Sequence, residues 1–244
     1  MYIDLCHQTA TYFWNSLGAD ELVLKNISAY ATHIPSPYFN LVHLHTPLES
    51  ITQEIPQIED FFKDTPWNIE VREDLESKIL TRNLNAMGFY AHETVVAMMI
   101  EPQTYPNSLD IKDTNNALEE WITPLTPAFE STAEISAAYM NAHKKALAKN
   151  SKFYHFTAYE QNIPVASITI SMHNDLARID DVGVDPAFQK KGYGTEIVKY
   201  ALSYAKTLGA KYCFLEASTA GAPMYEKLGF RPLFKNIIYS RQKH

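Results

Sequence analysis

Gln189, Lys190, Lys191, Gly192 and Gly194 stand between an apolar run ending Val182-Gly183-Val184 and an amphipathic one that follows at once. The second run carries Ile197, Val198, Ala201, Leu202, Ala205 and Leu208, the 3.6-residue spacing of a helix, with Gly209 placed as a left-handed cap. No Ser, Thr, Asp or Asn occupies the capping position before Gly194. The first backbone N–H groups of a helix need partners, and here glycines let the main chain approach closely while two lysines add positive charge. Such a helix start is an anion site, most naturally for phosphate. It is not a P-loop, because the lysines precede the glycines. Nor is it a dinucleotide fingerprint, because Ile197 occupies the third glycine position and no acidic residue lies at the required distance on a second strand.

A third pattern, Gln or Arg, two residues, Gly, one residue, Gly or Ala, is met by Gln189, Gly192 and Gly194 after Val184-Asp185-Pro186. Downstream, Lys211–Ala217 reads as a buried strand, and Ser218–Phe230 as a loop and a short helix ending Tyr225-Glu226-Lys227-Leu228-Gly229-Phe230. Pro223 suits the first helical turn and Gly229 its end. Together these motifs, over about residues 153–240, resemble the GNAT superfamily of acetyl-CoA-dependent N-acetyltransferases. The sequence departs from many of its members at Ser218, where Asn is common, and at Gly221, where Ala is common.

The resemblance implies an α/β fold with a mixed sheet and acetyl-CoA as cosubstrate. It places the cofactor along Val182, Gly183 and Val184, over Gln189, Lys190, Lys191, Gly192, Tyr193, Gly194 and Thr195, and at Ser218. It also implies a bulge that splays the Asp180–Val184 strand from Lys211–Ala217. The residues agree: Ile179 and Val182 both read as core, which strict alternation forbids, so a bulge lies between them. Acetyl transfer needs a neutral amine, a donor to the oxyanion and a proton for the leaving thiolate. A tyrosine keeps its proton at neutral pH, and Tyr225 is the candidate acid. For the base, Asp180 matches the acidic position of many relatives; Glu216, His173 or no dedicated base remain alternatives, and Asp180 could equally form an ion pair with Arg178.

The chain has 244 residues, enough for one large or two small domains. Residues 1–105 carry 5 Lys and Arg against 14 Asp and Glu; the remainder carries 16 against 14. The acidic half argues against nucleic acid as a partner, and the second suits a polyphosphate cofactor. No apolar run approaches a membrane span, no signal pattern opens the sequence, and Cys6 and Cys213 offer neither a disulfide framework nor metal spacing. The nine histidines lack the helical spacing of zinc hydrolases. A reducing cytoplasm, no membrane partner and no metal are expected.

A Pro- and Asn-punctuated stretch at 101–108 divides an N-terminal α/β half, 1–105, from a catalytic half, 106–244. In the second half strands are expected near Leu109–Lys112, Phe153–Glu160 and Val165–His173, with a hairpin turn at Asn162-Ile163-Pro164 and helices around Ala117–Phe129 and Thr132–Lys149. The first half reads either as an unrelated α/β unit or as a worn copy of the second. Leu84–Phe89 lies on Tyr225–Phe230 at an offset of 141 positions (88 to 229), with Leu84 where Tyr225 stands. The loop equivalent, Leu44–Ser50, has no glycine and no basic pair. The function expected is acetyl transfer to a primary amine, of a small molecule or a peptide. The rival reading is a regulatory module that binds acyl-CoA without turnover.

Overall fold

The computed structural model describes residues 1–241. Helix α1 (Tyr2–Ser16) precedes the strands β1 (Asp20–Val23), β2 (Ile27–Ala31) and β3 (Asn40–Leu44). Next come α2 (Ile55–Phe62), β4 (Asn68–Arg72), α3 (Lys78–Ala86) and the long β5 (Phe89–Ile100). Beyond the irregular stretch 101–108 lie β6 (Asp110–Asp113), α4 (Leu118–Ala128) and α5 (Ala133–Ala148). Then follow β7 (Phe153–Glu160), β8 (Ile163–His173), β9 (Leu176–Val184), α6 (Tyr193–Thr207), β10 (Tyr212–Ser218), α7 (Ala222–Lys227) and β11 (Arg231–Arg241). The β7–β8 turn is Gln161–Asn162, not Asn162–Pro164. Both residues have positive φ (51° and 66°), the geometry that matches the twist of a two-residue hairpin.

All the strands join one mixed sheet in the order β1-β2-β3-β4-β11-β5-β10-β9-β8-β7-β6. Each half contributes an antiparallel run, β2-β3 or β8-β9, whose last member pairs in parallel with the next strand, β4 or β10. The order β3-α2-β4-α3-β5 recurs as β9-α6-β10-α7-β11. The closing strands are exchanged. β5 pairs with β10 of the second half, β11 pairs with β4 of the first, and the two pair antiparallel with each other at the centre.

Helices cover both faces of the second half's strands. Ile197, Val198, Ala201, Leu202 and Ala205 of α6 are fully buried with Val165, Ala166, Ile168 and Ile170 of β8. On the other face Ser167, Thr169 and Ser171 are buried under α4 and α1; short side chains there let helix and sheet approach closely. α1 also reaches β9, β10 and β11, so the first helix of the chain roofs its second half.

Exchange leaves neither half with a complete sheet of its own. A fragment of residues 106–241 lacks β5 and exposes the backbone edge of β10 along Cys213–Ser218. It is expected to aggregate or remain unfolded by gel filtration and circular dichroism, and to become soluble when co-expressed with residues 1–105. A stable monomeric 106–241 fragment would show the exchanged strand to be dispensable.

Candidate active site

After β9 the chain turns through Pro186–Phe188, closed by the Asp185 carboxylate accepting from the Ala187 N–H at 2.9 Å. Lys190 (φ 62°) and Gly192 (φ 92°) then both adopt the left-handed region. Such an alternation folds successive N–H groups towards one concave surface. Gly192 is the N-cap of α6, and no side chain caps the helix, so the N–H groups at its first turn remain available. Lys191 sits 3.5 Å from Glu160 and over the Phe188 ring, an exposed contact of little energetic weight.

The parallel ladder between β9 and β10 spans three residue pairs and ends at Arg178–Phe214. Two residues of β9, Asp181 and Val182, then face a single residue of β8, and Asp181 takes φ 57°. This is the bulge expected between Ile179 and Val182. It turns the strand away from β10 and opens a groove of about 780 Å³. Val182, Gly183, Val184, Gln189, Lys190, Gly192, Tyr193, Gly194, Thr195, Ser218 and Tyr225 all line it. Gly183 has a second constraint: a Cβ there would lie 2.6 Å from Leu125 Cδ2 and 3.2 Å from Ala128 Cβ, so a larger residue would require Leu125 and α4 to shift.

The two adjacent aspartates have different surroundings. Asp180 accepts from Arg178 Nε with both oxygens (2.9 and 3.1 Å), and Arg178 Nη2 donates to Glu216 at 2.7 Å. Burial raises Asp180 to about 6 against the pull of Arg178. Burial also opposes ionisation of Glu216, but Arg178 outweighs it and holds that carboxylate below its ordinary value. Asp181 accepts from the Tyr139 hydroxyl at 2.8 Å through Oδ1, while its Oδ2 is buried without a partner. Burial, reinforced by the Asp180 charge, raises Asp181 to about 7. Behind Oδ2, at 3.9 Å, lies His143 Nε2, also unpartnered; His143 Nδ1 meets His155 Nε2 at 2.8 Å. Burial keeps both histidines neutral, His155 at about 3 and His143 well below its ordinary value.

Tyr225 is buried on the opposite wall, its ring edge-on to Phe230 at 5.6 Å. Burial, then the Asp180 charge, pushes its hydroxyl well above the ordinary phenol value, so the group is a proton donor at neutral pH. Ser218 accepts from the Gly221 N–H at 3.1 Å, fixing the turn into α7. His173 is elsewhere. Its ring packs on Tyr12 at 5.0 Å and lines a separate cavity under α1, which removes it from the candidate bases. Asp181, Tyr139 and the neutral histidines are the residues that sequence reasoning passes over. The signal for Asp181 is the broken alternation itself. Among the described residues no group of three His, Cys, Asp or Glu is arranged to hold a metal, and no helix is long and apolar enough to cross a membrane.

The groove thus runs from the uncapped start of α6 to a buried carboxylate pair and a tyrosine. Residues 115–230 match the family model described as Acetyltransferase (GNAT) family. The Uncharacterized N-acetyltransferase CgeE of Bacillus subtilis (strain 168) is 41% identical over 75 residues, 29% of each chain. Streptothricin acetyltransferase of Streptomyces lavendulae is 31% identical over 68 residues, 27% of this chain and 36% of that one. Glucosamine 6-phosphate N-acetyltransferase of Trypanosoma brucei brucei is 34% identical over 56 residues, 23% of this chain and 38% of that one. The chain therefore spans well under two thirds of the length of these relatives. A GCN5-related N-acetyltransferase from Kribbella flavida superposes with TM-score 0.67 at 14% identity, over 98% of this chain and 96% of that one. At that identity the likeness speaks for the fold, and it extends through the first half.

The raised Asp181 has a stability consequence. A carboxyl whose folded value lies above its unfolded one favours folding fully below the unfolded value, and that contribution is lost as pH rises through about 7. Asn at this position mimics the protonated form and still accepts from Tyr139. Asp181→Asn should therefore match the parent in thermal stability only below about pH 4, exceed it increasingly up to about pH 7 by several degrees, and keep that margin to pH 8. Equal melting temperatures across that window would contradict the assignment.

Proposed function

We propose that the chain catalyses N-acyl transfer, with acetyl-CoA as donor and a primary amine as acceptor, by direct attack in a ternary complex. The observation that carries this reading is the juxtaposition of the uncapped start of α6 with the splay of β9 from β10. The backbone at Gln189–Thr195, with Lys190 and Lys191, binds the diphosphate. The pantetheine arm lies in the splay, where backbone groups of Val182 and Val184 no longer pair with β10 and instead hydrogen-bond the arm. Gly183 and Ser218 border it. The Val182 N–H donates to the oxyanion.

The amine nitrogen attacks the thioester carbonyl, a C–N bond forms and the C–S bond breaks. Tyr225 supplies the proton to the departing thiolate. Asp181 is the better-placed base: it lines the groove and titrates near neutrality. Its unpartnered Oδ2 is closed off from solvent beside His143, so it takes the amine proton after a small rotation of the side chain, through one water. Asp180, with both oxygens on Arg178, holds that guanidinium in the floor of the site. Residues 106–244 supply the cofactor site, and 1–105, without glycine or basic pair at Leu44–Ser50, holds no second one.

Calorimetry tests the cradle. Gly192→Val forces a branched side chain into φ 92°, and should weaken acetyl-CoA binding at least tenfold while circular dichroism stays unchanged. An unaltered affinity would remove the loop from the proposal. Tyr225→Phe tests the acid. It should leave acetyl-CoA affinity near that of the parent and lower kcat by ~10²–10⁴, towards the lower end because water can also protonate a thiolate. A variant with normal kcat and reduced stability would assign Tyr225 to packing. Binding without CoA release from any amine would favour the non-catalytic acyl-CoA-binding module.

A further inference from the structure

Past Asp181 the groove continues into a second cavity of about 550 Å³. Its walls come from both halves: the turn Ser36–Phe39 and Glu93 of β5 on one side, α4, α5 and the turn between them on the other. Phe39, Phe129, Tyr139, Asp181 and Ser218 line both spaces, so what enters the cavity comes to lie beside Asp181.

The lining is chemically one-sided. Its ionisable side chains other than tyrosine are Glu93, Glu130 and Asp181; no Lys, Arg or His lines it among the described residues. The rest is seven apolar or aromatic side chains and the four serines Ser36, Ser131, Ser136 and Ser218, and Phe39 and Tyr139 stack at 4.5 Å. Two of the chain's exposed large apolar side chains, Tyr38 (49% exposed) and Phe129 (57%), also belong to this lining. Apolar surface left open beside a cavity marks a binding rim more often than a surface accident.

These features select among amines. A phosphate-bearing acceptor would meet carboxylates and find no cation to pair with. A polyhydroxylated one could hydrogen-bond the serines, but it would leave the apolar walls of Phe39, Ile122, Leu125 and Phe129 without a complement. A single ammonium on an apolar body meets both requirements. The carboxylates attract the charge, the rings accept a cation over their faces, and the walls take the hydrocarbon out of water. The excess of acidic residues in the first half adds a field that draws cations to this side.

We propose that the acceptor is a small primary amine joined to an apolar, preferentially aromatic, body. Its nitrogen lies at Asp181 and its body lies against Phe39, Leu125 and Phe129, with Glu93 attracting the incoming ammonium. This rests on the acyltransferase reading and narrows it. The ammonium loses one proton to Asp181 and the neutral nitrogen forms the C–N bond; as the tetrahedral intermediate collapses the C–S bond breaks, Tyr225 protonates the thiolate, and the second amine proton passes through water to restore the Tyr225 hydroxyl.

The two readings separate in one series of measurements on the full chain. Acetyl-CoA binding is measured first by calorimetry, and CoA release is then followed with phenethylamine, propylamine, spermidine and glucosamine 6-phosphate. No acetyl-CoA binding would overturn the acyltransferase reading itself. With cofactor bound, kcat/KM for phenethylamine should exceed that for glucosamine 6-phosphate by at least a hundredfold, and its KM should rise with ionic strength. Glu93→Gln should raise KM for phenethylamine by about tenfold, the order of one lost charge contact, without changing acetyl-CoA affinity. Phe129→Ala should raise KM more for phenethylamine than for propylamine. Acetyl-CoA binding with glucosamine 6-phosphate or spermidine as the preferred acceptor would overturn the inference and leave the broader reading standing. So would phenethylamine kinetics indifferent to both substitutions.

Discussion

A parallel ladder that stops after three residue pairs is the constraint on which the rest depends. Backbone N–H and C=O groups are obligatory hydrogen-bonding groups, and a strand that parts from its neighbour inside a sheet leaves a row of them open. The bulge at Asp181 causes the parting, and the opening between β9 and β10 becomes the groove. The same bulge interrupts the alternation of side chains, so consecutive aspartates meet different environments. One is locked to Arg178, and the other keeps an oxygen without a protein partner. Backbone geometry, more than residue type, divides their roles.

The parts of the site that are legible in the sequence are local. The glycine spacing of Gly192 and Gly194, the stripe from Ile197 to Ala205 and the Tyr225–Phe230 ending each fall within a few turns of chain, where pattern and structure are tied directly. The bulge is legible too, because Ile179 and Val182 cannot both be core in a regular strand. The ion pair of Asp180 with Arg178 is legible as well; the placing of Asp181 against Tyr139, 42 positions away, is not, since it depends on the left-handed turn at Asp181. The aromatic cavity is less visible still: it forms from Tyr38, Glu93 and Phe129, residues that share no local pattern. The repeat is hinted at by Leu84–Phe89, but the exchange of β5 and β11 is a matter of long-range pairing that no periodicity records.

A buried chain of polar groups crosses the centre of the sheet. Asp180 meets Arg178, Arg178 meets Glu216, and Asn236 of β11 donates to Glu216 at 3.3 Å and to Glu70 of β4. Glu70 in turn lies 2.9 Å from His43; burial, the largest single effect, pulls the His43 pKa down, but the charge and hydrogen bond of Glu70 with the charge of Glu216 together raise it. Burying charges is costly unless each is met, so the chain favours one register of the central strands over its neighbours. Asn236 bridges glutamates from both halves because β11 lies beside β4, with β5 alone between it and β10.

Exchange of the closing strands also sets an order on synthesis. When residues 1–105 have left the ribosome, β4 has no neighbour on its open edge, and β5 has neither of its partners. The strand that fills the gap, β11, is made after every other described element. The first half must therefore wait, with strand edges bare, through the translation of more than half the chain. At bacterial or eukaryotic elongation rates of ~5–20 residues per second that interval is on the order of ten seconds. Such a topology delays completion of the sheet's centre until β11 is made and places the greatest exposure to misassembly before that strand arrives.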